Sequence, residues 1–72
     1  MGFTERLNAL LNEREVGYSD VVAATGISKS AYYRYMTGER EPTMSALIKL
    51  AKFFNVSTDY LVGRSNTPTR LP

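Results

Sequence analysis

The run Lys29-Ser30-Ala31-Tyr32-Tyr33-Arg34-Tyr35-Met36-Thr37 sorts into two chemically distinct faces. At the helical step of about 100° per residue, Ala31, Tyr32 and Tyr35 fall on one arc. Lys29, Ser30, Tyr33 and Thr37 fall on the opposite arc, with Arg34 at its edge. The first arc is bulky enough to pack. The second carries two cations, hydroxyls and a phenol. These groups suit guanine O6 and N7, phosphate oxygens and thymine methyls, and a DNA major groove about 12 Å wide admits one helix. Each residue also has a plainer reading. Lys29 and Arg34 can be solvated charges, Ser28 a helix cap, Ser30 and Tyr33 ordinary surface, and Arg40 a surface partner of Glu39 or Glu41. The shared arc favours a nucleic-acid face for Lys29, Ser30, Tyr33 and Arg34.

The charge pattern agrees. The 72 residues carry a formal net charge of +2. Residues 1–25 hold two arginines against four acids, whereas residues 26–40 hold Lys29, Arg34 and Arg40 against Glu39 alone. Positive charge thus begins at the two-faced run, as an electrostatic footprint for a polyanion would.

Other chemistry is poorly supplied. There is no Cys and no His, which removes disulfides, thiol chemistry, zinc fingers and imidazole-activated nucleophiles. The seven acids, Glu5, Glu13, Glu15, Asp20, Glu39, Glu41 and Asp59, follow no calcium-loop pattern, so no metal and no cofactor is expected. A chain of this length is also short of material for a ligand cleft of ~300 Å³. The expectation is a binding protein and not an enzyme. No apolar run approaches the ~20 residues of a membrane span. The N-terminus lacks an apolar stretch with a small-residue cleavage site. The expected setting is therefore the cytoplasm, in association with the nucleoid.

The elements that must position this face are short helices. Phe3, Leu7, Leu10 and Leu11 make an amphipathic stripe, with Thr4 as the expected cap and Val16-Gly17 as the end. A second helix covers about Tyr18 to Ala24, with Val21, Ala24 and Thr25 inward. Gly26 supplies a left-handed reversal, and Ser28 caps a third helix, Lys29 to Met36, closed by Gly38. Pro42 forces a loop, and Thr43 caps a fourth helix. Its expected stripe is Met44, Leu47, Ile48, Ala51 and Phe54, widened by Leu50 and Phe53. Ser57 caps a last short helix, with Tyr60 and Leu61 inward and Gly63 at its end. No stretch alternates with period two, so the fold class is all-α, a compact five-helix bundle. Helices two and three, joined through Gly26, have the spacing of a helix-turn-helix.

Read together, these pieces resemble the Cro and phage-repressor (XRE) helix-turn-helix family. The likeness runs from Phe3 to Gly63. Phe3-x-Glu5-Arg6-Leu7, Thr25-Gly26-Ile27-Ser28 and the run Ser28 to Tyr35 carry its first half. Thr37-Gly38-Glu39-Arg40-Glu41-Pro42-Thr43, Leu47 to Lys52 and Asn55 to Gly63 carry the second. Each piece is weak alone, but their order and spacing are specific. The resemblance implies a lambda-repressor-like DNA-binding domain over residues 1–63, working as a homodimer on a double-stranded operator. By position it implies base contacts from Lys29, Ser30, Tyr33 and Arg34. It implies phosphate contacts from Gly17, Tyr18, Ser28, Thr37 and Arg40. The function it implies is transcriptional repression. A protein-interaction module, such as an antitoxin or a bridging factor, is the alternative that the exposed Tyr33 keeps open.

Three positions depart from the family pattern. Gly17 and Tyr18 stand where a Ser or Thr cap and a Gln are usual, which puts the phosphate contact there in question. Val22 replaces a small Ala near the helix crossing. Tyr32 replaces an aliphatic core residue, and its hydroxyl needs a partner or a route to water. Tyr60, Leu61 and Val62 cannot all point inward from so short a helix; they either form a dimer patch or close the core of the monomer. A two-fold axis there would set two recognition helices ~34 Å apart. Residues 64–72, with Pro68 and Pro72, read as a flexible tail or linker.

Overall fold

The computed structural model describes residues 2–68, and among these it contains five α-helices and no strand. They are α1 (Phe3–Arg14), α2 (Tyr18–Thr25), α3 (Lys29–Thr37), α4 (Met44–Phe54) and α5 (Thr58–Leu61). Three starts are capped as their sequences require. Ser28 Oγ accepts from the Ala31 amide at 3.1 Å, Thr43 Oγ1 from Ala46 at 3.1 Å, and Ser57 Oγ from Tyr60 at 3.0 Å. Each satisfies an amide that the helix itself leaves free. The cap of α1 differs from expectation. Gly2 holds that position, and its amide donates to Glu5 Oε1 at 3.2 Å. Thr4 is the second residue of the helix and is used elsewhere, because a cap needs extended backbone and Thr4 is helical.

Packing is pairwise: α1 lies against α3 and α5, α2 against α4, and α4 against α5. The core is built around Leu7, Leu10, Val21, Tyr32, Leu50, Phe54, Val56 and Leu61, all fully or almost fully buried. Burial of each large apolar side chain stabilises the fold by about 1.5–3 kcal/mol. Arg6 is buried with them, its guanidinium 4.0 Å above the centroid of the Tyr60 ring, which joins α1 to α5. Arg14 Nη1 donates to the Phe54 carbonyl at 2.9 Å and joins the C-terminal ends of α1 and α4.

Two stripes sit differently from the pattern read in sequence. In α4 the buried arc runs through Ala46, Leu50, Ala51 and Phe54, whereas Met44 is 70% exposed and Ile48 41%. The centre of this arc is rotated by roughly 70° from that of the five-residue stripe, toward Leu50. Apolar residues cover more than half of this helix, so their spacing alone leaves its inward direction open. The small Ala46 and Ala51 side chains are on the side that packs. In α2, Val21 is buried and Thr25 half-buried, but Ala24 is exposed, and Tyr18 and Val22 complete the inward side.

The chain after α5 turns back. The amides of Arg64 and Ser65 both donate to the Asp59 carbonyl, at 2.8 and 3.3 Å. Ser65 Oγ accepts from the Thr67 amide at 3.0 Å, and the Ser57 amide donates to the Pro68 carbonyl at 3.0 Å. The stretch expected to begin a tail at Arg64 is therefore bonded to the start of α5 as far as Pro68. The remainder of that tail, residues 69–72, lies outside the described residues.

Candidate nucleic-acid interface

Two glycines bracket the two-faced helix. Gly26, at φ 75°, ends α2, and Gly38, at φ 83°, ends α3. Both are in the left-handed region, where a β-carbon costs about 1 kcal/mol or more. Between them the chain reverses in Gly26-Ile27-Ser28 and starts α3. Ile27 is buried under the turn, and its amide donates to Thr25 Oγ1 at 3.3 Å.

The faces of α3 separate as their chemistry demands. Tyr32 is fully buried and Tyr35 is 3% exposed, with Ala31 half-buried beside them. Lys29, Ser30, Tyr33, Arg34 and Thr37 are all exposed, Tyr33 by 58%. Four donors or cations and one aromatic ring thus share an open helical face, and Arg40 is exposed in the loop beyond.

The helix is held at both ends by side chains from other helices. At its end, Thr4 Oγ1 donates to the Tyr35 carbonyl at 3.0 Å. Asn8 Nδ2 reaches the Met36 carbonyl at 3.0 Å and the Thr4 carbonyl at 2.9 Å. The Phe3 ring meets the Tyr35 ring edge-on at 6.1 Å. Terminal carbonyls of a helix lack partners of their own, and these donors supply them. At the start, the Tyr18 hydroxyl donates to the Lys29 carbonyl at 2.7 Å. The Tyr18 ring lies 5.2 Å from that of Tyr32. Thr4 and Asn8 were not legible as supports for α3. They are polar residues beside an apolar stripe, and their partners lie 31 and 28 residues away.

The expected phosphate group divides. Gly17 is exposed at the start of α2 and makes no side-chain cap; the Asp20 amide donates to the Gly17 carbonyl at 3.2 Å, which leaves the amides of Tyr18 and Ser19 open, although Asp20 already sets a carboxylate at that positive end. Ser28 is exposed and accepts in its capping bond, so its own proton is free. Thr37 donates its hydroxyl back to the Arg34 carbonyl at 3.2 Å. Tyr18 has its single proton directed at Lys29. The Tyr32 hydroxyl, whose need for a partner was evident in sequence, is buried without one among the described residues. Burial, with a smaller contribution from the nearby Tyr18 phenol, pushes its pKa up to about 12.

The candidate dimer patch is also divided. Leu61 is fully buried in the core of the single chain and so has no surface to offer a second copy, because α5 turns it inward where it packs against α1 and α4. Tyr60 and Val62 are half-buried, and Tyr60 lies under Arg6. An open groove of about 260 Å³ runs along α4 and the start of α5, lined by Ile48, Ala51, Lys52, Val56, Ser57, Thr58 and Asp59. It includes no residue of α3. Among the described residues there is no cluster of His, Cys, Asp or Glu that could hold a metal ion.

Two short helices, a left-handed glycine and an open polar face have a counterpart among known proteins. Residues 9–61 match the family model described as helix-turn-helix. The chain belongs to the helix-turn-helix family. It is 32% identical over 65 residues to the CTXphi cryptic phage transcriptional repressor RstR of Vibrio cholerae, covering 90% of this chain and 59% of that protein. It is 32% identical over 68 residues to the helix-turn-helix-type transcriptional regulator AnsR of Bacillus subtilis, covering 94% and 59%. A transcriptional regulator from Listeria innocua, known from its crystal structure, superimposes with a TM-score of 0.76 at 33% identity. That match covers 85% of this chain and 57% of the other. The chain thus spans about three-fifths of the length of these relatives. The phage-repressor resemblance and the all-helical fold read from the sequence both stand.

Proposed function

We propose that this helix-turn-helix chain reads DNA for a sequence-specific transcriptional repressor, with α3 in the major groove of a palindromic operator. The observation that carries this reading is the division of α3. Its apolar face is spent in the core, and Lys29, Ser30, Tyr33 and Arg34 are left together in solvent. A helix held so firmly by its neighbours presents these four groups as a unit. Lys29 and Arg34 donate to guanine O6 and N7, Ser30 to a base edge, and the Tyr33 ring contacts a thymine methyl. Gly17, Ser28 and Arg40 contact phosphates on either side and fix register without reading sequence. Tyr60 and Val62 supply a contact between two copies, so that paired helices meet half-sites one turn apart. Among the described residues no helix is long and apolar enough to cross a membrane, which accords with a protein at work on the nucleoid.

Selection of bound sequences from a random DNA pool tests the reading. The expected product is a symmetric motif. On it, Lys29→Ala or Arg34→Ala costs about 1–3 kcal/mol and relaxes preference at one base position. Equal losses on selected and random DNA would make both residues phosphate ligands only. Affinity falls steeply with salt, each neutralised phosphate adding about 0.9 to the log–log slope. A flat response would rule out this docking.

A further inference from the structure

We propose that Tyr18 is a positioning residue for the recognition helix, a strut between α2 and α3 that sets sequence discrimination and makes no phosphate contact. The inference rests on the DNA-reading function proposed above for α3. Tyr18 is the first residue of α2 and touches α3 twice. Its hydroxyl donates to the Lys29 carbonyl at 2.7 Å, and its ring lies 5.2 Å from the Tyr32 ring, tilted by 58°. The Lys29 contact is to backbone and the Tyr32 contact is to a buried ring. Tyr18 therefore grips the first turn of α3 by its backbone and its buried face, while the Lys29, Ser30 and Tyr33 side chains are left in solvent.

A phenol carries one proton, and a phosphate diester offers only acceptors. The proton that Lys29 receives is not available to DNA. The carbonyl it meets is also the helical acceptor for the Tyr33 amide, since each helical N–H bonds four residues back. A carbonyl has two lone pairs, and here one serves the helix and the other the strut. Two of the base-reading candidates, Lys29 and Tyr33, are thus joined through a single atom fixed from α2. Hydrogen bonds to base edges weaken steeply with distance and angle, so the placement of this turn governs which bases fit. Phosphate contacts on flexible side chains tolerate more movement. Loss of the strut therefore lowers discrimination and leaves general affinity in place.

Tyr18→Phe tests this, because it keeps the ring on Tyr32 and removes only the hydroxyl. In the free protein the Lys29 carbonyl carbon resonance should shift, and the Tyr33 amide should exchange about three to ten times faster. With the selected operator, the ratio of cognate to random affinity should fall by about three- to tenfold while the salt slope is unchanged. A loss of global stability alone does not move that ratio. Unchanged carbonyl and amide signals would overturn the strut. So would equal losses on both DNAs, which would make Tyr18 a phosphate ligand that carries no sequence information. If the unaltered protein selects no sequence, the DNA-reading function falls, and the carbonyl and amide signals still decide whether the strut exists.

Discussion

The two ends of α3 are held in different ways. The end near Met36 is fixed by α1, through two polar side chains and an aromatic edge: Thr4 and Asn8 satisfy the Tyr35 and Met36 carbonyls, and Phe3 packs on Tyr35. The start is fixed by α2, through one hydroxyl and one ring, both from Tyr18. Beneath that start lies the Tyr32 hydroxyl, buried and unbonded among the described residues. The far end is thus well satisfied, whereas the end that carries Lys29 and Ser30 is held more lightly and over an unpaired polar atom. If α3 reads DNA as proposed, loss of the brace displaces the turn that carries Lys29 and Ser30, while the anchored end keeps the fold. Stability and discrimination then depend on separate residues.

The largest effect should come from the anchored end. Asn8→Ala removes two donor bonds at once and leaves the Met36 carbonyl at a half-buried site without its partner. Urea unfolding should show a loss of about 2 kcal/mol. Thr4→Val keeps the shape of the side chain and removes one bond, so about 1 kcal/mol is expected. Neither change touches the open face, and the base preference of the folded protein should persist in both. A new preference in either variant would show that the far end also sets the aim of α3, and the contrast between the ends would fail.

Much of this arrangement was legible in the residues. Ser28, Thr43 and Ser57 read as caps because a cap is local, decided by one side chain and an amide three positions on. The faces of α3 were legible because its sequence divides sharply, with Tyr32 and Tyr35 on one arc and the cations, hydroxyls and Tyr33 on the other. The direction of α4 was not, since apolar residues surround most of that helix, and only a neighbour decides which of them are covered. Met44 and Ile48 are left outside for this reason. For Leu61 the crowding of a short helix leaves a dimer surface and the monomer core both open, and the fold places it fully in the core. The supports of α3 were the least visible. Thr4, Asn8 and Tyr18 act on carbonyls 31, 28 and 11 residues away, and backbone acceptors carry no signature in sequence. The departure at Tyr18 was visible as a residue type, but its consequence needed the geometry.

The smallest expected effect sharpens the contrast most directly. Tyr32→Phe removes a buried hydroxyl that has no partner, and it leaves the ring in the core. Removal of an unsatisfied polar atom recovers its desolvation cost, so stability at neutral pH should be unchanged or higher by about 1 kcal/mol. The two proteins should separate further in alkali. In the folded state the Tyr32 phenol holds its proton to about pH 12, against 10.0 for the free group, mainly because burial disfavours the phenolate. The unfolded chain therefore releases this proton first as pH rises, and between those values the folded form binds more protons. Stability must fall with pH there, by up to about 1.4 kcal/mol per unit from this group, and the fall fades out about one unit below pH 10. Tyr32→Phe lacks that slope. Urea midpoints measured from pH 9 to 11 should diverge above pH 10, with the variant the more stable. Parallel curves would mean that water reaches the hydroxyl, and the buried, unpaired atom that distinguishes this end of α3 would then not exist.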